Sequence, residues 1–245
     1  MGYFPFFVDM EEKRCLIAGG GATALRKARQ LLPFGAQIRG VAPRLLPDFE
    51  QLAADPETEG RLSLCLRPVE EADLEWADFV IAATSDRRVN SWISGWCRAH
   101  KLPVNVVDVK EECSFLFPAL IRRGPVVLGL TTGGASPALA SLLRERLEEV
   151  LPEGIGALAG QLGALRGRIL SEIPEPQRRS RLLRRLAREG IRQGGPLSRE
   201  QERELWEAAA ISQGERPVTP QKEISTACSD GEEKQNDRRE EKQTR

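Results

Sequence analysis

Between residues 14 and 113, short apolar runs alternate with segments whose apolar positions recur at helical spacing. The runs fall at 15–18, 37–42, 62–66, 79–83 and 104–107, and the helical patterns at 23–32, 45–54 and 88–100. The runs are continuous rather than alternating, as in strands covered on both faces of a sheet. Strand–helix alternation of this kind predicts an α/β unit: a parallel sheet, right-handed crossovers and helices on both sides.

After Cys113 the pattern changes. Residues 114–124 lead into a strand at 126–132, followed by Gly133-Gly134-Ala135-Ser136-Pro137. Ser136 fits the N-cap of a helix and Pro137 its first turn, with Pro152 stopping it near Leu151. Two strands and one helix cannot cover their own apolar face, which predicts docking on a second copy, a homodimer. Residues 154–211 read as helices broken by Gly, Pro and charge, and Ser198-x-x-Gln201 is a capping box before a helix at 200–210. From about Gln213 the chain is polar and charged, the composition of a disordered tail. The expected divisions are 1–113, 114–152, 153–212 and 213–245.

The first crossover carries the most specific chemistry. Arg14-Cys15-Leu16-Ile17-Ala18 runs into Gly19-Gly20-Gly21-Ala22-Thr23-Ala24 and then into a helix-forming stretch. The G-x-G-x-x-A spacing between strand and helix suits a dinucleotide. The first glycine makes the tight turn, the second admits a pyrophosphate close to backbone, and Ala24 lets helix approach strand. Unpaired N–H groups at the helix start favour an anion there. The acidic residue often found after the second strand is missing: the segment reads Gly40-Val41-Ala42-Pro43-Arg44. Backbone around Pro43 would then hold the adenosine ribose, and Arg44 leaves room for a 2′-phosphate.

Other candidates lie at strand ends, where ligands gather in open α/β sheets. Asp108 closes Asn105-Val106-Val107-Asp108; it is either a base beside the reactive end of a dinucleotide or a loop cap. Thr84-Ser85-Asp86 borders the same crevice, with Thr84 offering a hydroxyl to ribose or amide and Asp86 reading as a helix cap. Thr131-Thr132-Gly133-Gly134 is either a receptor for substrate carboxylates or a plain turn. The single histidine, His100, sits at a helix end before Pro103 and reads as structural.

Composition narrows the class. Of the 245 residues, 40% are hydrophobic and 29% charged, with zero formal net charge, which suits a globular protein and not a general polyanion binder. No segment has the length of a membrane span, and the start lacks a signal-peptide pattern, so a cytoplasmic protein is expected. The five cysteines show no metal-ligand spacing and read as reduced structural thiols. One histidine leaves no Ser/His or Cys/His pair, against a hydrolase or zinc enzyme. Residues 154–199 hold ten arginines against three glutamates. No aromatic residues interleave for base stacking, so nucleic acid ranks below a solvated face or a polycarboxylate small molecule.

Taken together, several stretches resemble one family, the precorrin-2 dehydrogenase/sirohydrochlorin ferrochelatase module of siroheme synthases. They are Phe4-Pro5 with Phe7, the Arg14–Gly21 run, Ala24-x-Arg26-Lys27-Ala28, Ala82-Ala83-Thr84, Asn105-Val106-Val107-Asp108, Ser114-Phe115, Pro118-Ala119 and Thr132-Gly133-Gly134-x-Ser136-Pro137. The resemblance implies a Rossmann-type domain, then a small α+β dimerisation unit and a helical domain. It implies a homodimer in which NAD oxidises precorrin-2 to sirohydrochlorin, with Fe2+ insertion following in some members. It puts the catalytic carboxylate at Asp108. Cofactor contacts fall to Gly19, Gly20, Gly21, Ala22, Thr23, Pro43, Arg44 and Thr84, and substrate contacts to Thr132, Gly133, Gly134 and Ser136. The alternative is an NAD-responsive tetrapyrrole-binding or sensor protein without turnover.

Overall fold

The computed structural model describes residues 4–58 and 60–211. Strand β1 (Arg14–Ala18) leads to helix α1 (Ala22–Leu31), and the pattern repeats through β2 (Gln37–Val41), α2 (Pro47–Ala54), β3 (Leu62–Cys65), α3 (Glu71–Trp76), β4 (Phe79–Ala82), α4 (Arg87–Ala99) and β5 (Val104–Val106). All five strands are parallel in the order β3-β2-β1-β4-β5. The chain therefore winds outward from β1 in one direction, then returns to β1's other side at β4. The switch point lies between β1 and β4.

Alternation along β1 feeds two cores. Cys15 and Ile17 face a layer with Ala24, Leu25 and Ala28 of α1 and Phe49 of α2. Leu16 and Ala18 face the other, with Leu74 of α3 and Ile93 and Cys97 of α4. Successive strand residues point to opposite faces, so a fully apolar run is what a doubly covered sheet requires. Burial pushes the Cys15 and Cys97 thiols up to about 12, leaving both as neutral packing groups.

Helix α3 escapes the hydrophobic reading because it spans six residues. It is held instead by a reciprocal cap between Glu70 and Asp73. Asp73 is buried and accepts both guanidinium nitrogens of Arg67 at 2.7 and 2.8 Å.

Beyond the sheet, β6 (Ala119–Arg123) and β7 (Val126–Leu130) form an antiparallel hairpin turning at Gly124, φ +56°. Helix α5 (Pro137–Val150) follows; Ser136 caps it by accepting the Leu139 N–H at 3.2 Å. Helices α6 (Ile155–Glu172) and α7 (Pro176–Gln193) make an antiparallel pair around Leu158, Ile169, Leu182 and Leu186. Gly190 leaves room for Leu158, whose Cδ1 lies 2.3 Å from where a Cβ would stand. The compact unit holding all these elements ends at Leu197.

A second unit begins at Ser198 with α8 (Arg199–Ile211), opened by the expected box: Gln201 N–H donates to Ser198 Oγ and Ser198 N–H to Gln201 Oε1. The expected tail at 213–245 lies outside the described residues. No helix among the described residues is long and apolar enough to cross a membrane.

Candidate active site

At the switch point the glycine turn is packed from both sides. Gly19 adopts φ +131°, and a Cβ there would stand 2.3 Å from the Ala83 carbonyl oxygen. At Gly20 a Cβ would stand 2.0 Å from the Arg44 carbonyl oxygen, and Gly20 O accepts the Leu46 N–H at 3.0 Å. The turn is thereby clamped between the loops after β2 and β4. Gly21 is different: it is exposed, and a Cβ there would meet nothing within 4 Å.

Gly21 is the N-cap of α1, with no side-chain cap and no acidic residue in the first turn. The leading N–H groups of a helix need acceptors. Beside them Gly21 borders open space, while Gly19 and Gly20 form a backbone too tight for side chains. This cradle fits the diphosphate of a dinucleotide, with Ala22 and Thr23 in the first turn and Pro43 and Arg44 exposed on the neighbouring loop.

Thr84 sits beside this turn, but its side chain is occupied. Its hydroxyl lies 2.7 Å from Asn90 Oδ1 and 2.9 Å from the Asp86 carbonyl, and it accepts the Asp86 N–H. Asp86 caps α4 by accepting the Arg88 N–H at 2.8 Å. These bonds fix the loop after β4 and leave Thr84's half-buried surface, rather than a free hydroxyl, facing the crevice.

Asp108 lies past the end of β5, which stops at Val106, one residue short of the expected strand. It is exposed and takes φ +62°. Left-handed backbone costs a non-glycine residue energy, and such outliers concentrate at functional sites. No hydrogen bond or ion pair engages its carboxylate among the described residues.

The turn around it is braced by Cys113, whose Sγ accepts the Val106 N–H at 3.2 Å. The same sulfur lies 3.1 Å from Val106 O and 3.2 Å from Val109 O. Burial raises the thiol pKa, so the proton needed to donate is retained. Sequence reading takes Cys113 as a reduced structural thiol and does not reveal this brace.

The Thr132–Ser136 turn comes to the same region. A Cβ on Gly134 would stand 3.0 Å from Lys110 Cδ, two residues after Asp108. Gly133 and Gly134 have positive φ, while Thr132 and Ser136 are tied together: Thr132 Oγ1 donates to Ser136 O and accepts the Ser136 N–H. The two hydroxyls thus shape the turn, and the glycine backbone is what it presents.

A further group was not legible beforehand. Lys27 of α1 places Nζ 3.5 Å over the Phe117 ring, and burial, reinforced by Arg26, lowers its pKa to about 8. His100 is exposed, stacked on Trp96 at 3.8 Å with Nδ1 2.9 Å from Trp96 O, away from these loops at the far end of α4.

Residues 6–119 match a family model for NAD(P)-binding domains, and residues 123–149 match the sirohaem biosynthesis protein central model. The chain is similar to siroheme synthases over most of its length. It is 36% identical over 219 residues to the siroheme synthase of Nitrosospira multiformis, and 40% identical over 223 residues to that of Methylococcus capsulatus. Each match covers 89% of this chain and 46% of the relative, so the chain spans about half the length of these curated relatives. A solved structure of SirC, a precorrin-2 dehydrogenase, superposes with TM-score 0.67 at 25% identity, covering 85% of this chain and 99% of that one. The first family model thus spans the glycine turn and the second the Thr132–Ser136 turn.

Proposed function

We propose that the protein oxidises precorrin-2 to sirohydrochlorin with NAD+, as a step of siroheme biosynthesis. The observation that carries this reading is the uncapped start of α1 over the clamped glycine turn, in a sheet whose β5 leads into a turn bearing a lone carboxylate. When bound, NAD+ supplies the acceptor for the hydride leaving the macrocycle. Gly19, Gly20, Gly21, Ala22 and Thr23 hold its diphosphate by backbone, Pro43 and Arg44 border the ribose, and Thr84 forms a wall. Asp108 takes the proton that must leave with the hydride; an exposed, unpaired carboxylate in a fixed turn can accept one without first breaking an ion pair. The glycine backbone at Gly133 and Gly134, with Thr132 and Ser136 shaping it, receives substrate carboxylates.

Insertion of Fe2+ into the product releases two pyrrole protons and extends the role of the same base. A chelation rate above the spontaneous one, lost in Asp108→Asn, is the outcome this extension requires. In this reading residues 1–113 form the cofactor domain, 114–152 the dimerisation unit and 153–212 the helical domain. Leu139, Leu142 and Leu143 of α5 are exposed in the single chain, which supports a homodimer; its compartment in this reading is the cytoplasm. Saturable binding of NAD+ and a tetrapyrrole with no NADH formed would instead favour a sensor or carrier.

A further inference from the structure

Helices α6 and α7 line a cleft of about 740 Å3. Leu170 and Leu183 supply apolar surface, Gly163 a wall without a side chain, and Arg166, Arg179 and Arg184 the charge. A Cβ on Gly163 would meet nothing within 4 Å, so the chain's own packing does not require that glycine.

The charge around the cleft is not neutralised from within. All three glutamates of residues 154–199 pair elsewhere: Glu172 with Arg168, Glu175 with Arg178 and Glu189 with Arg192. Arg166, Arg179 and Arg184 have no ion pair among the described residues. Arg179 is steadied by donating Nε to the Ile173 carbonyl. An apolar floor with three unneutralised guanidinium forks matches a ligand that is apolar in its middle and carboxylate at its edge, since guanidinium and carboxylate pair bidentately. The volume is in the range of small-molecule sites.

We infer that the α6–α7 cleft binds the carboxylate-rimmed face of a tetrapyrrole, as a site separate from the glycine turn. The choice of ligand rests on the function proposed above; the charge and shape of the cleft do not.

The test is fluorescence titration of the full chain with uroporphyrin, a stable octacarboxylate, in wild type, Arg166→Ala/Arg184→Ala, Gly163→Leu and the control Arg185→Ala. Circular dichroism melts verify folding of each. Lost charge-assisted bonds should weaken binding by about tenfold or more in the double variant. Gly163→Leu, which fills the cleft and keeps every charge, should weaken it similarly, and Arg185→Ala should leave it near wild type. Unchanged affinity in the double variant, equal losses in all three, or displacement by polyglutamate as effective as by porphyrin would overturn the inference. The last would assign the cleft to an acidic peptide. These readouts need no turnover, so an inactive protein that binds uroporphyrin here would refute the dehydrogenase reading and leave the cleft standing. A turnover-competent protein indifferent to the cleft variants would do the reverse.

Discussion

Gly20 and Arg44 approach so closely that a single methyl group on Gly20 would collide with the Arg44 carbonyl oxygen, at 2.0 Å. The contact ties the turn after β1 to the loop after β2, and Gly19 repeats it against Ala83 on the other side. Gly20→Ala and Gly19→Ala should therefore destabilise the fold, each by about 1–3 kcal/mol or more, Gly19 also because of its φ of +131°. Gly21→Ala should change stability by less than about 0.5 kcal/mol, because its Cβ has open space, yet weaken NAD+ binding. Thermal unfolding together with NAD+ calorimetry separates the two effects. A Gly21→Ala protein with wild-type NAD+ affinity would remove the diphosphate from this turn.

Cys113 acts on Asp108 at one remove, as a positioning residue. Its sulfur bridges Val106 and Val109, the residues bracketing the strained turn. Cys113→Ala should lower kcat by about tenfold, the value of a lost hydrogen bond or two, with KM for NAD+ unchanged. Cys113→Ser keeps a donor and acceptor and should recover most of the rate. Equal kcat in wild type and Cys113→Ala would show that the turn holds itself.

Lys27 gives a pH signature. Burial lowers its pKa in the fold to about 8, whereas an unfolded lysine titrates near ~10.4. Between those values the unfolded chain holds more protons, so this residue makes stability rise with pH there; below about 8 its penalty is full and constant. The melting temperature of wild type should thus gain on that of Lys27→Met between about pH 8 and 10. Parallel curves for the two proteins would mean that Lys27 is not desolvated over Phe117.

The same residues explain what could be read in the chain and what could not. Short apolar runs located all five parallel strands, because strands covered on both faces are mostly apolar; Arg39 of β2 and the buried Asn105 of β5 are polar exceptions. The Gly19–Ala24 spacing marked the first crossover, and Ser136-Pro137 marked the start of α5, since capping is a local interaction. Helix α3 was missed because its stability comes from Arg67, Glu70 and Asp73 rather than from apolar periodicity. The Lys27–Phe117 contact joins residues ninety positions apart, beyond any local pattern. Asp108 was found as a strand-end carboxylate, but its left-handed turn and the Cys113 brace depend on backbone geometry that residue types do not encode. Thr84 was weighed for its hydroxyl, which Asn90 and Asp86 claim.

Asp108→Asn tests the proposed proton acceptor with little risk to the fold. The residue is exposed, and asparagine tolerates positive φ as well as aspartate does. The deciding measurement is anaerobic NADH formation from precorrin-2 and NAD+ by wild type and Asp108→Asn, with NAD+ affinity measured on both. Wild type should form one NADH per sirohydrochlorin, and Asp108→Asn should be slower by about 10²–10⁴ at unchanged NAD+ affinity. A variant turning over at the wild-type rate would show that Asp108 is not the base.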